Sequence, residues 1–286
     1  MTAVFQSHSP VVMVAADWLE TLKREAAAEP LRRSRLCLHR SGDDPVHEML
    51  IGFQRDTLVR PHRHDGKSES FHVIEGELEI VVFDDEGEVR RRYPLAPADG
   101  PRAFVYRMNS RAWHSVRIKS EYAVIRETTT GPFVPGDADF PDWAPAEGDV
   151  LRDWLAETDG VLAEEGTPAA PSRQTVLDDD VVTIAPIWCQ SLTDRAEAAA
   201  AGVAQLRLYR PGDRVEESLI ALRQGANFSH DCAGSASIHL IQGHLKVGDN
   251  ELTPSSTFLI RHNEPGRLTL STHAPSLVHA SFEAAG

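Results

Sequence analysis

Residues 60–80 read RPHRHDGKSESFHVIEGELEI, and four positions within this stretch decide the fold. His62 and His64 are two apart. Side chains alternate between the faces of a strand, so both imidazoles point to the same side. Glu69 follows past a turn that contains Gly66 and opens the next strand, where its carboxylate can return to the same cavity. Gly76 comes next, where the chain must turn tightly before ELEIVVF at 77–83. Two imidazoles and a carboxylate suit a borderline divalent ion: zinc, iron, manganese, nickel or cobalt. A solvated surface pair of histidines would not call for the matching Glu69 and Gly76.

The flanking sequence has period two. LCLH (36–39), EMLIGF (48–53), SFHVIEGELEIVVF (70–83), AFVYRM (103–108), HSVRI (114–118) and YAVIRE (122–127) read as short strands. Turn signals separate them at Ser41–Pro45, Asp84–Gly87 and Pro97–Pro101. Many short strands with little helix predict an all-β antiparallel sandwich or barrel. The pattern His-x-His-x4-Glu-x6-Gly is the first cupin motif. Cupin sites usually take a third imidazole from a late strand, and His114 in SRAWHSVRI (110–118) is placed to supply it. A full second motif would carry Pro, Gly and Asn where this chain has Asn109, Arg111 and Ile118. His72 falls by alternation on the face opposite Glu69, which predicts a packing role. His39 and His47 carry no spacing signal and read as ordinary.

The unit occurs twice. VVMVAADW (11–18) returns as VVTIAPIW (181–188), GDDPVHEMLI (42–51) as GDRVEESLIA (212–221), and SFHVIEGELEI (70–80) as SIHLIQGHLKV (237–247). A repeat of this length is a duplicated domain rather than a solenoid period. Each copy opens with a short strand and a helix. In the first, Trp18, Leu22 and Ala26 share one helical face, and Pro30 ends it. The expectation is two tandem cupin (double-stranded β-helix, jelly-roll) domains: a metal-binding domain over 1–147, a helix and linker over 148–175, and a degenerate domain over 176–286. The middle helix, DVLRDWLAETDGVLAEEG (149–166), has Leu151, Leu155 and Leu162 as apolar points, and GTPAAPSRQ (166–174) reads as a flexible linker. In copy two, His230-Asp231-Cys232 stands for His62-Arg63-His64, Ala236 replaces Glu69, and Leu268 takes the place of the late histidine. His239 is the counterpart of His72.

The bulk numbers exclude several classes. A formal charge of −14 disfavours nucleic acid and anionic membranes as partners. A DNA-bound regulator would also need a helix-turn-helix and a basic patch, and neither is found. No apolar run reaches the length of a membrane span, and MTAVFQSHSP lacks the basic and apolar regions of a secretory leader. Three widely spaced cysteines give no disulfide framework, so a cytoplasmic location is expected.

Residues 34–147 resemble the WbuC-type cupin fold metalloproteins, a family often associated with surface-polysaccharide gene clusters. The carrying segments are the run from Ser34 to Val89, AWHSV (112–116), and RETTTGPFVPGDADFPDWAPAE (126–147). Thr130 stands where the family pattern has Asn. The resemblance implies a small cupin barrel with one bound metal. It suggests an enzyme of isomerase or epimerase type acting on a sugar or a small hydroxy or carbonyl metabolite. The alternatives are an iron-dependent dioxygenase and a non-catalytic ligand-binding or sensory module. Arg60 and Lys67 flank the ligands and are candidates to hold a carboxylate or phosphate of the small-molecule ligand. Glu127 and Tyr106, on late strands, are candidates for proton transfer. Cupins commonly dimerise by sheet packing, so a homodimer is an admissible assembly.

Overall fold

The computed structural model describes residues 3–161, 163–166, 168, 180–209, 212–261 and 265–284. The first half contains β1 (Ala3–Gln6), β2 (Val11–Val14), α1 (Ala16–Ala28), β3 (Arg33–Cys37), β4 (Val46–Gln54), β5 (Arg63–His64), β6 (Glu69–Phe83), β7 (Val89–Leu95), β8 (Val105–Met108), β9 (Trp113–Thr130) and β10 (Ala138–Asp139). Next come α2 (Gly148–Asp159) and β11 (Glu164–Glu165). The second half contains β12 (Val181–Ile184), α3 (Ile187–Ala198), β13 (Val203–Arg207), β14 (Val215–Leu222), β15 (Asn227–Cys232), β16 (Ser235–Gln242), β17 (Leu245–Val247), β18 (Asn250–Leu252), β19 (Thr257–Arg261), β20 (Gly266–Thr272) and β21 (Ser276–Glu283).

The chain builds two jelly rolls. In the first, β1-β3-β4-β9-β6-β7-β11 follow one another across a sheet, with β8 added beside β6. In the second, β13-β14-β21-β16-β19 form one sheet and β15-β20-β17-β18 the other. HSVRI and YAVIRE, expected as two strands, run together as the single strand β9. Its two ends pair with the two ends of β6. Gly76 likewise makes no chain reversal. It sits at an irregularity within β6, at φ +76°, and a Cβ there would lie 2.1 Å from the Tyr122 carbonyl oxygen. Only glycine meets both demands, so Gly76→Ala should cost roughly 2–4 kcal/mol in urea unfolding. A midpoint equal to wild type would refute that close approach.

The opening strands are exchanged. β2, from the first copy, pairs with β19 of the second, and β12 pairs with β8 of the first. VVMV and VVTI are β-branched segments, and each covers an edge that its own jelly roll does not. Trp18 and Leu22 on α1, and Trp188 and Leu192 on α3, then pack beside these joints. In α2, Leu151 and Leu155 are buried as expected. Leu162, and most of the segment expected to be a linker, lie outside the described residues.

The two jelly rolls meet through the outward faces of β6, β9, β14 and β21, and this contact is polar. Arg126 forks onto Glu48 at 3.0 and 3.1 Å. At the related position in the second copy, His279 lies 2.7 Å from Glu217, which also pairs with Arg107 at 2.8 Å and accepts from Ser70. His72 packs T-shaped on His239 and sits 2.9 Å from His279, Nδ1 to Nδ1. One of those two nitrogens must accept, so at least one ring is neutral.

Burial first, then His239 and His279, hold His72 well below the usual imidazole range, and burial followed by Arg126 does the same to His239. The unfolded chain takes up protons below about pH 6.5 that these rings refuse in the fold. Stability is therefore complete above that pH and falls below it, by up to about 1.4 kcal/mol per pH unit and ring. Urea midpoints at pH 7.5 and 5.5 check this, and equal midpoints would contradict it. Among the described residues, no helix is long and apolar enough to cross a membrane.

Candidate metal centre

The register of the first sheet sets the site. Cys37, Met49, Glu127, Phe71 and Tyr106 are direct neighbours across β3, β4, β9, β6 and β8. The next row holds His47, Thr129 and Glu69. Side chains in a row share a face, so Glu69 and Glu127 stand diagonally across two strands on the barrel's inner wall. From the opposite side, His62 and His114 exchange both backbone hydrogen bonds, at 3.0 and 2.9 Å, which fixes the two rings 4.5 Å apart. His64 follows on β5, its ring 5.0 Å from that of His62.

One donor atom from each of His62, His64, Glu69 and His114 lies within 4.8 Å of the others. Ligands about 2.1 Å from a common ion stand at most about 4.2 Å apart, so small rotamer adjustments complete a coordination shell. The hydrogen bonds fit this use. Nδ1 of His62 faces the Arg60 carbonyl at 2.9 Å, and Nδ1 of His114 faces the Ala112 carbonyl at 3.0 Å. A carbonyl only accepts, so each Nδ1 donates and the neutral ring leaves a bare lone pair on Nε2. Nε2 of His114 lies 3.3 Å from Oε1 of Glu69, and both atoms are buried without a hydrogen-bond partner. Two lone pairs facing each other in a dry pocket repel, and a cation between them removes the conflict.

Burial, then His114, drives His62 down to about 3, a neutral ligand at any ordinary pH. Burial would raise Glu69, but His114 and His64 outweigh it and hold the carboxyl below its usual range. Burial opposes protonation of His64, yet Glu69 outweighs it and the ring is raised.

Beside these four residues lies a cavity of about 420 Å³. Its walls are apolar at Met49, Ile51, Phe53 and Phe71, and polar at Glu127, His39, His47, Arg33 and Arg35. Burial first, then Glu69, pushes Glu127 up to about 7. A wider polar groove of about 630 Å³ shares His64, Lys67, Thr130 and Asp137 with it.

The other candidates are placed differently. Lys67 reaches the cavity rim, but its ammonium pairs with Asp137 at 2.5 Å and donates to the Pro132 carbonyl. Arg60 does not line the cavity. It donates to the Pro141 and Ala144 carbonyls and covers the Phe140 ring. Both cations therefore tie down residues 131–144, a strap whose β10 pairs with β5 beside the ligands. Tyr106 points into the core between Phe71 and Tyr93 and is absent from the cavity wall. Its hydroxyl is fully buried with no partner.

Sequence reasoning passed over Arg33, Arg35, His39 and His47. A signal was present: RSRLCLH alternates Arg33, Arg35, Cys37 and His39 with Ser34, Leu36 and Leu38. The first set lines the cavity, and the second is buried on the opposite face. His39 and His47 stack at 4.1 Å. Burial, then His47, pushes His39 down to about 4.

The second jelly roll has a different interior. Leu268 stands opposite His230 as His114 stands opposite His62, and Cys232, Ala236 and Phe282 pack with it in an apolar core. His230 meets Glu216 at 3.0 Å.

The chain thus has a bicupin fold. Crystal structures of salicylate 1,2-dioxygenase from Pseudoaminobacter salicylatoxidans share the fold. One superposes with a TM-score of 0.62 at 13% identity, covering 97% of this chain and 85% of that one. A variant of the same enzyme in complex with gentisate gives 0.60 at 16% identity, over 97% and 83%. A family described only as a domain of unknown function (DUF6016) matches residues 14–95, which include His62, His64 and Glu69. No curated protein matches the chain.

Proposed function

We propose that the chain is a metal-dependent enzyme that moves a proton on a small hydroxy or carbonyl metabolite, in the manner of an isomerase or epimerase. The observation that carries this reading is Glu127. It is a half-buried carboxyl on the same inner wall as Glu69, facing the same cavity, where its apolar surroundings favour the protonated form. A general base works best when its pKa lies near the working pH. A divalent ion held by His62, His64, Glu69 and His114 would act as a Lewis acid on a substrate hydroxyl or carbonyl. Glu127 then takes a proton from the neighbouring carbon and returns it. The apolar side chains exclude water, and the strap closes the rim through Lys67 and Asp137. The WbuC-type resemblance supports a sugar or sugar-derived substrate.

The test is to incubate metal-reconstituted protein in D2O with phosphorylated and nucleotide-linked sugars and hydroxy acids. The reading expects deuterium to enter the carbon beside a carbonyl, followed by NMR, without oxygen consumption. Oxygen uptake by the iron form, with no deuterium exchange, would replace it with a dioxygenase. Absence of both would leave a ligand-binding module.

A further inference from the structure

Arg33 and Arg35 are the least expected residues in the cavity. Both project from β3 onto the inner face, two positions apart, and both line the space that contains His62, His64 and Glu69. The Nε atom of each is buried without a hydrogen-bond partner, and among the described residues no carboxylate forms an ion pair with either guanidinium. Arg33 and Arg35 are half-buried, and among the described residues the fully buried arginines of the first jelly roll are all paired: Arg92 with Glu79, Arg107 with Glu217, Arg126 with Glu48. Two unpaired guanidiniums side by side repel each other and lose hydration, at a cost that grows with burial. The Arg33 guanidinium is accordingly lowered by burial and then by Arg35. An anion held between them relieves that repulsion and supplies the acceptors that their buried Nε atoms lack.

We infer that Arg33 and Arg35 form the anion subsite of the cavity and that its substrate is a monocarboxylate, a hydroxy acid or sugar acid. A carboxylate takes two parallel N–H donors from one guanidinium and leaves lone pairs for a second. Glu127 is the acid nearest these two cations in the wall, so this end of the cavity carries a single excess positive charge when that carboxyl is ionised. A monoanion neutralises it. A phosphate dianion beside Glu127 overshoots. Anchoring the carboxylate here places the rest of a small acid along Ile51 and Phe71, with its hydroxyl or carbonyl end towards the four ligands. This rests on the reading of the cavity as the substrate site and adds the class of molecule that fits it.

The experiment compares acids with their neutral amides. Lactate and glucuronate, against lactamide and glucuronamide, are titrated by ligand-observed NMR into wild-type protein, metal-loaded and chelator-treated. Glucose 1-phosphate is the dianionic control. Each acid is expected to bind at least tenfold more tightly than its amide in both forms, and glucose 1-phosphate more weakly than glucuronate. An Arg33→Gln/Arg35→Gln double variant should lose the preference, whereas His62→Ala should keep it. Equal binding of acids and amides to wild type overturns the inference without reliance on any variant. So does a preference that survives in the arginine double variant, or tighter binding of the phosphate. A protein that takes up no metal yet still prefers acids upholds the subsite and removes only the metal-dependent reading.

Discussion

Glu217→Ala is expected to cost about 3–5 kcal/mol of unfolding free energy. Glu217 is fully buried where the two jelly rolls meet and serves Arg107, His279 and Ser70 at once. Its removal leaves the buried Arg107 with Asp213 at 3.2 Å as its remaining carboxylate, leaves Nε2 of His279 without its carboxylate, and leaves Ser70 only a long hydrogen bond to the Thr128 carbonyl. Burial would raise the Glu217 carboxyl, but His279 and then Arg107 overcome it and hold it down at about 2. The group thus stabilises the fold fully above about pH 4.5, and the contribution is lost as pH falls from there towards 2. Urea unfolding of wild type, Glu217→Ala and an Arg107→Met/Glu217→Met double variant tests the argument. The double variant should recover much of the loss, because it buries no uncompensated charge. A single variant as stable as wild type would mean that the contact between the jelly rolls is wet.

Glu127→Gln is expected to lower turnover by about 10²- to 10⁴-fold with metal content unchanged. The amide keeps the size and a hydrogen-bonding role but cannot accept the transferred proton. Loss of deuterium exchange at the substrate carbon, with substrate still bound and displaceable, is the signature of a lost base. Equal loss of metal would instead make Glu127 a support for Glu69, its diagonal neighbour on the inner wall.

The motif at 60–80 and the repeat carried most of the architecture, because both depend on short-range alternation that a strand preserves. His62, His64, Glu69 and His114 converge for the same reason: their spacing fixes their face, and strand order fixes their side of the barrel. What failed was long range. Nothing local in VVMV or VVTI says that these strands cross to the other copy, since an edge is created only when both sheets exist. Arg60 and Lys67 were read as substrate contacts because they flank ligands, but both lie in loops outside β5 and β6, where no alternation fixes their direction; Arg60 turns to the strap, and Lys67 reaches the cavity rim while tied to it. The phenol of Tyr106 shares the inner face yet spends its length on core packing against Phe71 and Tyr93. Arg33 and Arg35 were legible as alternating charges on a strand with a buried opposite face, a pattern with no place on a purely structural wall.

Elemental analysis of the purified chain beside a His62→Ala/His64→Ala variant bears most directly on the central claim. The arrangement of lone pairs around Glu69 predicts about one divalent transition-metal ion per wild-type chain and none in the variant. A wild-type chain that stays metal-free after exposure to zinc, manganese and iron, or a variant that retains as much metal, would contradict it.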